Sequence, residues 1–393
     1  MTASPAPTSS AVYYTGNYWN NRPEVVQYMN RLATGDPDLA WLLHLRQWRG
    51  APFRRALSLN CGNGWVERQL IEHGVVESAL GIDIAEDLLQ QSRAEATALS
   101  LPLEYRRVDI NTDDLCSLGE FDLVVNHAAA HHIGYIDRVF RQLCRLLPDD
   151  GVLVSYDYVG PHRNQYPTHQ WEAIWRANEA LPAPLRKRLR YPTVPAVVAS
   201  DPTEAIHSEL IVPTMRRYFD LPIERYVGGS VAYDILTFND AFFDPQVDTH
   251  DAVMRVLAAD AEYREPDPAA NSLFAYLVAT PRKEVLDDEP QLAAWAAEES
   301  ARERAAAAAD GRYYPATMLE RLYERIYTLE HAAYTSGVLV EGVEIPRRGL
   351  LLRQLHPIVA RVPGARRAMG LARSLRLRLR RWRRHQDRGP ERG

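Results

Sequence analysis

Cysteine is scarce: the 393 residues hold three, Cys61, Cys116 and Cys144, with no short paired spacing, which excludes a disulfide framework and a cysteine-built zinc site. No run of about 18 apolar residues occurs, so no segment is built to span a bilayer as a helix. The opening MTASPAPTSS has neither the basic start nor the apolar core of a secretory signal; with the cysteine usage, this sets the expectation of a cytoplasmic chain. A GxxxxGK[ST] loop, which would cradle phosphates with a lysine, is missing, and so is the GxGxxG dinucleotide fingerprint.

What is there suffices for one substantial core with extensions, since 46% of the residues are apolar and 25% charged. The net charge of -5 hides an asymmetry. Residues 347–393 carry 15 arginines against the two acids Asp387 and Glu391, leaving 31 basic and 49 acidic residues elsewhere. A body of about -18 therefore bears a tail of about +13, which points to an anionic partner for the tail alone.

Along the chain, Pro23 suits a first helical turn and Gly35 a helix end. DPDLAWLLHLRQWRG reads as a second helix, capped by an aspartate and stopped at Gly50. Residues 1–54 thus form a helical lid. From Arg55, short β-branched or apolar runs (ALSLN, SALGIDI, LEYRRVDI, FDLVVNH, GVLVSYDYV) alternate with segments of helical period. That is the pattern of βαβ units on a parallel sheet covered on both faces.

The fold class is therefore α/β, a Rossmann-like doubly wound sheet over residues 55–283. A proline-rich, tryptophan-bearing cap is inserted at about 161–205. PIERYVGG and NSLFAYLVATPRK read as later strands, the second closing the sheet edge. Residues 284–345 form a helical extension, in which an alanine-rich helix stops at Gly311 and Met318, Leu322, Ile326 and Leu329 share one face. Residues 346–393 are a basic tail.

The chemistry starts at SLNCGNGW, residues 58–65. A strand, a tight glycine loop and a helix put backbone N–H groups where a ligand approaches closely. Gly62 and Gly64 alone are weak evidence. About twenty residues on, Asp83 ends the second strand, where a carboxylate can bind both hydroxyls of a ribose. Asp109 follows the third strand, and Asn126 and His127 end the fourth.

Over residues 55–160 this order resembles the class I S-adenosylmethionine-dependent methyltransferases, a fold of seven strands. The resemblance implies that the cofactor's methionyl part lies over Asn60, Cys61, Gly62 and Gly64, its ribose on Asp83, and its adenine by Ile84, Asp109, Ile110 and Asn126. Two positions depart from the family pattern: Ser58 stands where an acid is usual, and Asn60 where a glycine is. Asparagine tolerates a left-handed backbone, so Asn60 keeps the turn. Serine keeps a hydrogen bond but lacks the charge that would place the cofactor's ammonium.

NHAAAHHIGY supplies His127, His131 and His132 where the methyl group would be transferred. A hydroxyl acceptor needs a base as it attacks, and imidazole is the side chain that ionises nearest neutrality. His131 leads, with His127 and His132 as alternates. His127 and His131 also stand at the helical spacing of two zinc ligands, but no third ligand is evident.

Asp157, Tyr158, His162, Arg163 and Gln165 follow at the end of the fifth strand. They mix flat aromatic faces with planar hydrogen-bonding groups, a mixture suited to a polyhydroxylated ring. YVGPHRNQ, DPTEAIHSELIVP and RYVGG, with Tyr18 and Trp19, resemble the sugar O-methyltransferases of bacterial polysaccharide and glycolipid biosynthesis, the methylmannose type among them. That resemblance implies a saccharide or glycolipid acceptor and, in some members, Mg2+, for which Asp157 is a candidate ligand. A natural-product or lipid methyltransferase, or a non-catalytic scaffold of the same fold, are the alternatives. The sequence lacks the [DN]PP[YF] motif of amino-group methylation and the Tyr-x-x-x-Lys pair of a dehydrogenase.

In the tail, Leu371, Leu375, Leu379 and Trp382 line one face among arginines, as in a helix lying on an anionic membrane at its inner surface. Nucleic acid is not expected as a partner, because no stacking platform accompanies the arginines. An oligomer is left open.

Overall fold

In the computed structural model, which describes residues 16–308, Pro23 opens helix α1 (Pro23–Thr34), where its missing N–H goes unneeded. Gly35 closes the helix in a left-handed conformation with φ 90°. Val25, Met29 and Ala33 make its buried face. Helix α2 (Trp41–Arg49) ends at Gly50 as expected but begins after an extended Ala40, with no side-chain cap. The aspartate expected there is spent one turn earlier, where Asp36 accepts the N–H of Asp38 at 2.9 Å and shapes the connecting turn.

The alternating segments then fold in register with their pattern. They are β1 (Ala56–Leu59), α3 (Trp65–Glu72), β2 (Ala79–Asp83), α4 (Glu86–Ala98), β3 (Leu103–Arg107), β4 (Leu123–His127), α5 (Ile136–Leu146) and β5 (Val152–Tyr158). The inserted segment carries α6 (Thr168–Glu179) and α7 (Val194–Ser200). After it come α8 (Ile211–Tyr218), β6 (Phe219–Tyr226), α9 (Ala232–Leu236), α10 (His250–Arg264), β7 (Phe274–Pro281) and α11 (Glu289–Ala308).

The seven strands form one sheet in the order β3-β2-β1-β4-β5-β7-β6. β7 alone runs antiparallel, paired with β5 on one side and β6 on the other. The expected edge strand is thus internal, and β6 forms the edge. Strands β1, β2 and β5 are buried along their whole length, as a parallel sheet covered on both faces requires.

Side chains alternate between two cores. Leu123, Val125, Val154 and Tyr156 face the core that also holds α1, α2, α6 and α10 residues. Val124 and Leu153 face the one shared with α5 and α8. The strand order reverses between β1 and β4, and a crevice opens at the carboxyl ends of the strands at such a reversal.

Helix α11 belongs to this body. Its Glu299 carboxylate accepts the N–H groups of Asp137 at 2.7 Å and Arg138 at 3.2 Å, supplying the cap that the first turn of α5 lacks. The stop at Gly311, the apolar face from Met318 to Leu329 and the arginine-rich tail lie outside the described residues.

Candidate active site

The loop leaving β1 turns sharply because three of its residues adopt left-handed backbone: Asn60 at φ 43°, Gly62 at 55° and Gly64 at 72°. Asn60 does more than tolerate the turn. Its amide donates to the Ala129 carbonyl at 3.2 Å, tying the loop to the turn after β4. Gly64 is required for a second reason, since a Cβ there would sit 2.3 Å from the Tyr105 hydroxyl. Beneath the loop, Cys61 is buried and its thiol pKa is raised, chiefly by burial, so it is an inert neutral packing group.

Asp83 pins this loop. Its carboxylate accepts Gly62 N–H at 2.9 Å and Ala85 N–H at 2.8 Å. Each oxygen retains a further lone pair for a ligand. Asp109 sits two residues past the end of β3, half-buried, and accepts Asn111 N–H at 3.0 Å. Ile84 and Trp65 are exposed large apolar side chains beside these groups. Two strand-end carboxylates beside uncovered apolar side chains fit a nucleoside, its hydroxyls on the acids and its base on the apolar groups.

Two residues expected to touch the cofactor are placed otherwise. The Ile110 side chain is buried in the α5 core, and its carbonyl accepts from Arg138 at 3.3 Å. Asn126 spends its amide N–H groups on Ser155 and Asp157 and its oxygen on Ala130 N–H, at 2.8, 3.0 and 2.8 Å. Asn126 therefore braces the turn that presents the histidines.

Of the three histidines expected to act as base, His131 is the one hydrogen-bonded to a buried carboxylate. Its Nδ1–H donates to Asp157 at 2.6 Å, which fixes the tautomer and leaves Nε2 3.8 Å from a Glu204 carboxylate oxygen. Asp157 is fully enclosed and accepts four further N–H groups, from Asn126, Ala129, Ala130 and Tyr158. Burial would raise the Asp157 pKa, but His131 and these donors hold it below the usual carboxylate range. Burial would likewise lower His131. The carboxylates of Asp157, Glu204 and Asp201 outweigh it and lift the imidazole to about 9.

The other two differ. His127 is stacked on Trp41 at 5.6 Å and Tyr156 at 6.0 Å, with Trp65 edge-on at 5.1 Å. Burial lowers it to about 4, so it stays neutral. His132 hydrogen-bonds Thr203 at 3.0 Å, and burial followed by the neighbouring His131 pushes its pKa down.

Three of the seven residues expected to read the acceptor, His162, Arg163 and Gln165, instead clamp the inserted segment beside His131. Arg163 is buried, donates N–H to Ala205 O at 2.7 Å and its guanidinium to Glu204 O at 2.9 Å. His162 hydrogen-bonds Ile206 O, and Ile206 N–H in turn donates to His131 O at 3.0 Å. Gln165 donates to Arg163 O and Pro192 O at 2.6 and 2.5 Å. Tyr158 is buried with its hydroxyl on Pro161 O at 3.2 Å. Trp19 is buried in the core, stacked on Phe274 at 5.4 Å. Tyr18 packs against the exposed Phe238 at 4.9 Å.

Asp157, filled by five N–H donors, is no Mg2+ ligand. Among the described residues, two clusters bring metal-binding atoms within 4.8 Å of one another, His131 with His132 and Glu204, and His162 with His207 and Glu209. Both are nitrogen-rich, unlike the oxygen sets that Mg2+ takes. Sequence reasoning missed Glu204 and Asp201, which reach the site only through the folding of the insertion. It also missed Glu67, fully buried under the loop, which an acid on an otherwise apolar helix face could have flagged.

Residues 57–155 match a family described as a methyltransferase domain. An uncharacterized methyltransferase of Mycobacterium tuberculosis is 29% identical over 124 residues, 31% of this chain and 60% of that protein. One of Schizosaccharomyces pombe is 27% identical over 135 residues, 33% of this chain and 46% of that protein. The matched stretches thus span about half the length of these curated relatives. A crystal structure of an S-adenosylmethionine-dependent methyltransferase from Mesorhizobium loti is similar at 19% identity, covering 62% of this chain and 99% of that one with a TM-score of 0.38. The strand order is that of the class I methyltransferase fold, and the matched residues lie on its cofactor-binding half.

Proposed function

We propose that this chain is an S-adenosylmethionine-dependent methyltransferase that methylates a hydroxyl group of a saccharide, with His131 as the base. The 2.6 Å bond between His131 Nδ1 and the buried Asp157 carries the reading. It orients the ring, fixes the tautomer and aims Nε2 away from Asp157, the arrangement that makes a histidine a positioned base. The loop at 60–64, Asp83, Ile84 and Asp109 would hold the cofactor, which supplies a methyl group activated by its sulfonium. His131 Nε2 takes the proton as the hydroxyl becomes nucleophilic. The insertion fastened by Arg163 brings Glu204 to the buried ring.

A saccharide acceptor is supported by the Tyr18–Phe238 pair. Phe238 is an exposed aromatic held at φ 54°, and such strain in a bulky residue is retained where a ring must be presented. The pair lies next to Trp19, which stacks on Phe274, the β7 residue opposite Tyr158. An aromatic face there suits the C–H face of a sugar.

The imidazole lifted to about 9 is protonated at neutral pH and must lose its proton before it can act. Accordingly kcat/KM rises with pH up to about 9, the free-enzyme value. A cationic ligand beside the ring opposes the imidazolium, so the kcat profile rises at lower pH. Methyl transfer to a panel of mono- and oligosaccharides, followed against pH, tests this: His131→Asn abolishes the rising limb. Folded protein that fails to bind S-adenosylhomocysteine in calorimetry overturns the methyltransferase reading. A profile unchanged in His131→Asn overturns the base.

A further inference from the structure

Glu67 lies in the first turn of α3, on a face whose other buried members are Val66 and Leu70. Its exposure is 0%. Side chains on a helix lean toward its N-terminus, so this carboxylate sits under residues 61–64 of the loop. The groups facing it are the Ser58 hydroxyl from β1, the Cys61 thiol from the loop, Asp83 from β2 and Arg68 from its own helix. Tyr105 from β3 feels its charge as well.

The Ser58 hydroxyl and the backbone N–H of Glu67 itself are its hydrogen-bonding neighbours, though neither reaches the carboxylate in full hydrogen-bond geometry. Arg68 does not neutralise it, because that guanidinium is turned to Glu95 at 2.8 Å and to Asn63 O at 2.8 Å. A buried carboxylate without a cation is costly, and packing alone would favour an apolar residue here.

We propose that Glu67 supplies, from beneath the loop, the negative charge that anchors the cationic amino-acid end of the cofactor. It thereby takes over the task of the strand-end acid that Ser58 replaces. Ser58 is then no defect: its small side chain leaves room for the Glu67 carboxylate and donates toward it. Glu67 acts as a positioning residue through the loop rather than by contact. Burial lifts its pKa to about 7, so it takes up its charge near neutrality. A cation arriving above the loop favours the ionised form, and binding releases the proton.

The inference rests on the methyltransferase reading and is separated from it by two ligands in calorimetry. S-adenosylhomocysteine carries the amino-acid arm, and 5′-methylthioadenosine lacks it. In Glu67→Gln the first weakens roughly tenfold, about 1.4 kcal/mol, while the second changes by less than about twofold. Wild-type affinity for S-adenosylhomocysteine climbs between about pH 6 and 8 as Glu67 ionises, and in Glu67→Gln that climb is lost.

Restoring an acid at the strand end, in Ser58→Asp with Glu67→Gln, recovers affinity. The double variant also distinguishes a misplaced charge from a damaged fold. Unchanged affinity in folded Glu67→Gln, equal losses for both ligands, or a pH climb that persists without Glu67 overturns the proposal. Wild-type protein that binds neither ligand overturns the methyltransferase reading, and this proposal falls with it.

Discussion

The two halves of the sheet hold their sites in different ways. On the side of β1 to β3, the loop, Asp83 and Asp109 all lie at strand ends within about fifty residues, and each of the two acids accepts a backbone N–H two positions on. On the side of β4 and β5, His131 depends on Asp157, 26 positions on, and faces Glu204, carried by an insertion that Arg163 fastens from 41 positions away. The first half is built by local turn chemistry. The second needs the whole chain folded, and its electrostatics are correspondingly more extreme, with two histidines at 4.1 Å driven in opposite directions.

Breaking the non-local half has the largest effect. Asp157→Asn removes the charge that fixes and lifts His131, and turnover falls by about 10²–10⁴. Affinity for S-adenosylhomocysteine, held by the other half, changes by less than about threefold by the same reasoning. Rapid-quench turnover with calorimetry checks both, and an NMR titration shows the His131 pKa falling. Equal losses of binding and turnover would dissolve the division between the halves.

An intermediate effect comes from Gly81. A Cβ there would lie 2.7 Å from the Tyr105 ring and 2.9 Å from the Cys61 sulfur, under the cofactor loop. Gly81→Ala costs about 1–3 kcal/mol in denaturant melts and weakens S-adenosylhomocysteine binding. Adding Tyr105→Leu recovers part of both.

The smallest effect tests the tie between the halves. Asn60→Gly keeps the left-handed turn and loses only the amide bond to Ala129, so stability falls by less than about 1 kcal/mol in the same melts. A loss on the scale of Asp157→Asn would mean that the loop and the histidine turn act as one unit.

This contrast also explains what the sequence discloses. The strands from Ala56 to Tyr158 and the acids at their ends are legible because parallel strands buried on both faces leave continuous apolar runs punctuated by turns. The same reasoning selects His131 by its chemistry. It cannot place Glu204, because residues 161–205 have no periodicity that reports where their loops return. Aromatic and planar groups at the end of β5 look like ligand readers in one dimension. Folded, Arg163 and Gln165 spend those groups on backbone carbonyls, since a buried irregular segment must satisfy its own polar atoms. Trp19 shows the commoner fate of a large aromatic, which is burial. Ile110 faces the core because it follows Asp109 on a chain whose side chains alternate in direction.

The Glu299 cap bears on how short this protein can be made. The recognisable domain stops at residue 155, yet the first turn of the helix after the histidine turn borrows its carboxylate from residue 299. Glu303, one turn further, accepts from His207, just past the inserted segment, at 2.7 Å. A chain cut after β7 would keep every strand, the loop at 60–64, Asp83 and Asp109, while leaving the Asp137 and Arg138 N–H groups without their acceptor. Such a chain is expected to retain the nucleoside site and lose order around His131. The contacts that order the helix after the histidine turn and the segment at His207 thus come from carboxylates about 150 residues beyond the matched domain, Glu299 and Glu303.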